Sequence, residues 1–111
     1  MAGAVRRGEV RWYDFAKPAK RRPVLVLTRN SALGFLGEVT VAPITSSIRD
    51  IPSEVALGTA DGMPRECAAN LDHVQTVAKS RLGSVIASLP PHRMGEVRSA
   101  LLFALGFSDP S

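Results

Sequence analysis

Residues 19–30 read AKRRPVLVLTRN, and this stretch decides how the chain is built. Val24 to Leu27 are apolar without alternation, so a strand over PVLVLT (23–28) must have both faces covered. Pro23 biases the residue before it toward extended geometry and cannot donate to a sheet ladder, which suits a strand's first residue. Arg22 is then held at the strand mouth, with Lys20 and Arg21 before it and Arg29 beyond the strand.

Working outward, GEVRWYDF (8–15) alternates: Val10, Trp12 and Asp14 fall on one face, Arg11, Tyr13 and Phe15 on the other. It reads as the first strand, joined to the second by the basic loop AKPAKRR (16–22). RNSALGFLG (29–37) supports a short helical turn with Asn30 or Ser31 as its cap. EVTVAPITSS (38–47) is a third strand, Pro43 marking an edge or bulge near its end. A fourth runs from about Glu54 to Leu57, followed by the turn TADGMP (59–64). ECAANLDHVQTVAKSRLGSVIASL (66–89) reads as two more strands, 67–77 and 83–89, with a tight connection at KSRLG (79–83). Many short strands separated by turns indicate a mainly β fold, a small barrel or sandwich. From Pro91 onward Met94, Val97, Leu101, Ala104 and Leu105 recur at helical spacing. This predicts an amphipathic C-terminal helix with Pro91 in its first turn and Gly106 as its stop.

At 111 residues, with no repeat or linker, the chain reads as a single domain over 1–111. No apolar run approaches the ~18 residues of a membrane span, and the arginines near the start are not followed by the apolar block of a secretory signal. The lone Cys67 cannot form an internal disulfide, which fits a reducing, cytoplasmic setting. With one cysteine and two scattered histidines, no metal site or other cofactor is expected. The net charge is +4, and the basic residues crowd into Arg6, Arg7, Arg11 and the 17–22 segment. That distribution gives the N-terminal third a positive surface, suited to a polyanion or simply a solvated loop.

Polar groups that strand ends would aim are few: Arg22, then Thr45 with Ser46 and Ser47, and Asp72 in the later strand pair. If they converge they describe a phosphate site, an arginine fork for the anionic oxygens and hydroxyls for neutral hydrogen bonds. No P-loop, dinucleotide fingerprint or nucleophile elbow is present, which removes the common nucleotide and acyl-transfer chemistries.

Taken in order, RRGEVRWYDF, KRRPVLVLTRN, VTVAPITSSIR, DGMP and EVRSALLFALGF resemble the toxin component of MazF/PemK (Kid) toxin–antitoxin systems, from about Arg7 to Phe107. The resemblance implies an SH3-like barrel with a C-terminal helix, acting as a homodimer that cuts single-stranded RNA without metal. Such enzymes use the substrate's own 2'-hydroxyl and leave 2',3'-cyclic phosphate and 5'-hydroxyl ends. The family's active-site arginine and threonine fall on Arg22 and Thr45. Some relatives invoke an arginine and an aspartate two residues apart in the later strand pair; here these positions are Asn70 and Asp72, so only the aspartate matches. Asp72 is a candidate base, with a turn or ion-pair role as its alternative.

On this reading Lys17, Lys20 and Arg21 track the RNA backbone, Ser46 and Ser47 add hydroxyls, and Phe15 or Tyr13 either stacks an unpaired base or belongs to the core or dimer contact. A basic groove on a toxic nuclease implies a cognate acidic antitoxin that folds as it binds. Two other functions fit the same residues. A gyrase poison shares the fold but is associated with a Trp-Gly-Ile tail, whereas this chain ends GFSDPS. A non-catalytic RNA-binding barrel would need only the positive surface.

Overall fold

The computed structural model describes residues 4–16 and 20–107. Strands β1 (Glu9–Asp14) and β2 (Arg21–Val26) form an antiparallel hairpin, and β2 pairs on its other side with β3 (Glu38–Thr45). β2 divides two cores. Leu25 and Leu27 pack with Val10, Ile44, Leu57 and Leu71, while Val24 and Val26 pack with Tyr13, Leu33, Val39, Val41, Val77 and Leu82. Val24, Leu25 and Val26 are fully buried, so the apolar run is covered on both faces as its composition requires. Each such side chain contributes roughly 1.5–3 kcal/mol of burial.

The strand begins earlier than the proline suggests: Pro23 is the third residue of β2, opposite Trp12. Phe15 N–H donates to the Lys20 carbonyl at 3.0 Å, which fixes the alternation of bonded pairs along the hairpin. In that alternation Trp12 and Pro23 form a non-hydrogen-bonded pair, so the missing N–H falls on the β3 side. There the last pair is Val24 with Pro43, a residue that also lacks a donor. The β2–β3 ladder ends between these prolines. Past Pro43, β3 takes β5 (Cys67–Asn70) as its neighbour, pairing Ile44 with Ala69 and Thr45 with Ala68.

The expected strand over 67–77 is instead two strands, β5 and β6 (Gln75–Ala78), separated by a 3₁₀ turn at Leu71–His73. Both lie along β3, β6 on its first half. Side-chain bonds that compete with the ladder cause the break. Asn70 Oδ1 accepts from Asp72 N–H at 2.9 Å, and the Asp72 carboxylate accepts from Ser53 Oγ at 2.5 Å. Asp72 and His73 therefore do not alternate across a sheet.

β4 (Glu54–Leu57) pairs with β5, and β7 (Leu82–Ser88) covers the free side of β1 with two register shifts. The described strands form one curled antiparallel sheet, β4-β5-β3-β2-β1-β7, with β6 also on β3. This half-barrel is the small SH3-like architecture expected. A Cβ on Gly83 would lie 3.3 Å from Trp12 Cβ, so glycine lets β7 approach β1 there.

The helical turn α1 (Asn30–Leu33) has no side-chain cap; Asn30 Oδ1 instead accepts from Arg7 N–H at 2.7 Å. Helix α2 (Pro91–Ala104) opens on Pro91, and Gly106 beyond its end has φ of 80°. Val97 and Ala100 are buried, and Met94, Leu101 and Ala104 pack on the first core. Leu105 lies past the last helical residue and is largely exposed, unlike the stripe it continues in sequence. Arg93 fastens the helix down: its Nε donates to Asp61 Oδ1 at 3.0 Å, and its guanidinium also bonds Glu96 and the Ala56 carbonyl. None of the described helices is long and apolar enough to cross a membrane.

Candidate functional site

The register that pairs Val24 with Pro43 brings Arg22 and Thr45 level, two positions further along each strand. The pairing of the two strands is not continued to this level. Arg22 is exposed and stands opposite Tyr13 on β1. Thr45 is half-buried, and its Oγ1 accepts from Ser47 N–H at 3.0 Å. An oxygen that already accepts leaves its own hydrogen to donate outward.

Beside this pair lies a cleft of about 540 Å³ lined by Trp12, Pro23, Ile44, Met63, Pro64 and Cys67, with Ser46 and four cations, Lys20, Arg21, Arg22 and Arg65. No carboxylate among the described residues lines it. Its floor is apolar and its rim positive, a composition that suits an anion carrying a flat apolar body. The Arg21 guanidinium sits over the Trp12 ring, 5.0 Å from its centroid. Lys20 adopts φ of 60° at the point where the loop enters β2.

The predicted residues thus separate into groups. Arg22, Lys20, Arg21 and Ser46 share the cleft. Thr45 adjoins it but is not among its lining residues, because alternation turns it away from Ile44 and Ser46. Ser47 is exposed and uses its backbone to hold Thr45. Phe15 packs against the second core, its ring 4.7 Å from that of Tyr13, which favours the packing role over base stacking. Asp72 does not line the cleft and is bonded to Ser53, itself only 1 % exposed, which favours the turn role. Lys17 lies outside the described residues.

Arg65 and Trp12 were not legible as site residues. Arg65 sits in the segment between the Thr59–Asp61 turn and β5, is exposed, and makes no hydrogen bond or ion pair with a described residue. Its one signal in sequence is that no other arginine or lysine occurs between Arg49 and Lys79. Burial pushes the neighbouring Cys67 thiol up, Glu66 and Asp61 add to this, and Arg65 opposes it. Cys67 is therefore a neutral wall residue at pH 7, not a nucleophile. No cluster among the described residues could hold a metal ion.

Residues 6–105 match the family described as the PemK-like, MazF-like toxin of type II toxin–antitoxin systems. The chain belongs to the MazF/PemK toxin family. It is similar to the probable endoribonuclease MazF5 of Mycobacterium tuberculosis, 39% identical over 109 residues, covering 97% of this chain and 99% of that one. Among solved structures it resembles the Mycobacterium tuberculosis toxin MazF-mt6, with 29% identity and a TM-score of 0.82 over 90% of this chain and 98% of that one. It also resembles an endoribonuclease in complex with its cognate antitoxin from a mycobacterial species, with 29% identity and a TM-score of 0.83 over 96% and 100% of the two chains. Of the blocks that carry the MazF/PemK resemblance, RRPVLV is β2, and APITSS spans the end of β3 and the two residues after it.

Proposed function

We propose that this MazF/PemK-family chain is the toxin of a type II toxin–antitoxin pair and a metal-independent endoribonuclease acting on single-stranded RNA in the cytoplasm. The observation that carries the reading is the level placement of Arg22 and Thr45 beside a cleft whose charged residues, among those described, are all cations. In the reaction the 2'-oxygen bonds to phosphorus and the bond from phosphorus to the 5'-oxygen breaks. The 2'-hydroxyl gives up one proton and the departing 5'-oxygen takes one up, leaving cyclic phosphate and 5'-hydroxyl ends. Negative charge grows on the non-bridging oxygens at the transition state. A fixed guanidinium and a hydroxyl donor aimed there lower the barrier electrostatically. Arg22 acts through its charge, because a guanidinium holds its proton too firmly to trade it at neutral pH.

Lys20 and Arg21 guide the RNA backbone to the cleft, and a cognate antitoxin with an acidic segment silences the enzyme by covering that rim. The relative solved in complex with its antitoxin supports such a partner. A homodimer is favoured by the exposed Phe35, Phe103, Leu105 and Phe107, since large apolar side chains in open water mark association surfaces.

The deciding experiment incubates the protein and its Arg22→Ala variant with a long unstructured RNA in EDTA and maps the fragment ends. Discrete cuts with cyclic-phosphate and 5'-hydroxyl ends, lost in the variant, are expected. Intact RNA after treatment with the folded, antitoxin-free protein would sink the nuclease assignment.

A further inference from the structure

We infer that Trp12 and Arg65 form a subsite for the nucleotide next to the cleaved phosphate: its base stacks on the Trp12 face of the cleft, and its outer phosphate is held by Arg65. The inference rests on the nuclease reading for its substrate, and on the cleft itself for its geometry.

Arg22 belongs to both places. It lines the cleft, and it is level with Thr45, which alternation turns off the cleft wall. A phosphate held between Arg22 and Thr45 therefore sits at the cleft's edge, and the chain leading from it must enter or bypass the hollow beside it. That hollow is the right kind of container. Its volume of about 540 Å³ falls within the ~300–1,000 Å³ range of small-molecule sites, room for a nucleotide and not for a run of them. Pro23, Ile44, Met63 and Pro64 give it apolar walls for a base.

Trp12 is the aromatic member of the lining, half-buried and already carrying the Arg21 guanidinium 5.0 Å from its ring centroid. Base stacking on such a ring is tolerant of base identity and is strengthened by a neighbouring arginine. Arg65 reaches the cleft from the segment before β5, whereas Lys20, Arg21 and Arg22 all come from the hairpin. Arg65 also makes no hydrogen bond or ion pair to a described residue that would have to be broken.

Trp12 is the chain's single tryptophan, so its fluorescence reports occupancy of this subsite without ambiguity. The experiment titrates the protein with a short RNA whose cut site, mapped beforehand on the long substrate, carries a 2'-deoxy sugar, at several salt concentrations. If the long RNA is not cut, a 2'-deoxy-substituted pyrimidine hexanucleotide serves as the probe. The expected result is a Trp12 emission change on binding, with Arg65→Ala binding about tenfold more weakly and its salt slope smaller by ~0.7, one single-strand phosphate contact. Arg65→Lys restores the slope and not the full affinity, since it keeps the charge and loses the fork. An RNA that binds or is cut without altering Trp12 emission overturns the subsite, as does an Arg65→Ala variant with unchanged affinity and slope. If the emission change and the Arg65 dependence appear while no RNA is cut, the subsite stands and the nuclease assignment falls.

Discussion

Arg22 and Thr45 stand level across β2 and β3, two positions beyond the last pair that the two strands share. Both end the run of residues that alternate onto the second core face, Val24 and Val26 on one strand, Val39 and Val41 on the other. The sheet thus delivers a cation and a hydroxyl to the same height at the point where its ladder opens.

For this reason Arg22→Ala is expected to reduce RNA cleavage by about 10²–10³ with little change in folding, the size of effect seen when one transition-state donor is removed. Arg22→Lys should recover part of the rate, since the charge remains and the fork is lost. Single-turnover cleavage assays beside thermal melts check both. A variant as active as the parent would remove Arg22 from the reaction.

Thr45→Val keeps the shape and removes the donor. It should slow cleavage by a comparable factor, while Thr45→Ser should retain most of the rate, because the serine hydroxyl can still accept from Ser47 N–H and donate outward. Equal loss in both variants would mean that the threonine methyl, not its hydroxyl, matters.

Asp72→Ala should cost stability rather than activity. It leaves the buried Ser53 hydroxyl without its carboxylate partner while keeping the backbone N–H that bonds Asn70 Oδ1, a loss of about 1–3 kcal/mol in chemical denaturation. Cleavage per folded molecule should stay within a few-fold of the parent. A loss of a hundredfold or more with normal stability would make Asp72 a reacting group.

Arg93→Ala should loosen α2, since one guanidinium joins Asp61, Glu96 and the Ala56 carbonyl. We expect a loss of about 1–3 kcal/mol in global stability. Amide exchange should quicken in the helix more than in β2. Unchanged exchange along α2 would show that Val97 and Ala100 hold it without help.

Stability should also fall at alkaline pH through Cys67. Its folded pKa is raised, chiefly by burial, so the unfolded chain loses this proton first as the pH rises. The contribution is complete below the unfolded thiol value of about 8.5 and disappears as the pH climbs through the folded value. Melting temperatures between pH 8 and 9.5, flatter for Cys67→Ala than for the parent, are the expected outcome.

The double burial of β2 was legible because an apolar run has one physical solution, as was α2 from its spacing and its opening proline. The division of β5 from β6 was not, because it turns on a bond between Ser53 and Asp72, residues far apart in the chain. Arg22 and Thr45 were found as family positions, but their level placement is a matter of register. Arg65 was missed for a related reason: nothing local to a turn tells which strand ends it will face.

β2 stops pairing with β3 at Pro43, while on the other edge of β3 the strand β5 follows β6, so the two banks of the site are held by different strands. Arg22 is anchored in the β1–β2 hairpin, and Thr45 is braced by β5 through its pairing to Ala68. Ala68 and Ala69, both fully buried, back the end of β3 that carries Thr45. A methyl group added at either would press on the strand that carries Thr45 and be felt in its spacing from Arg22.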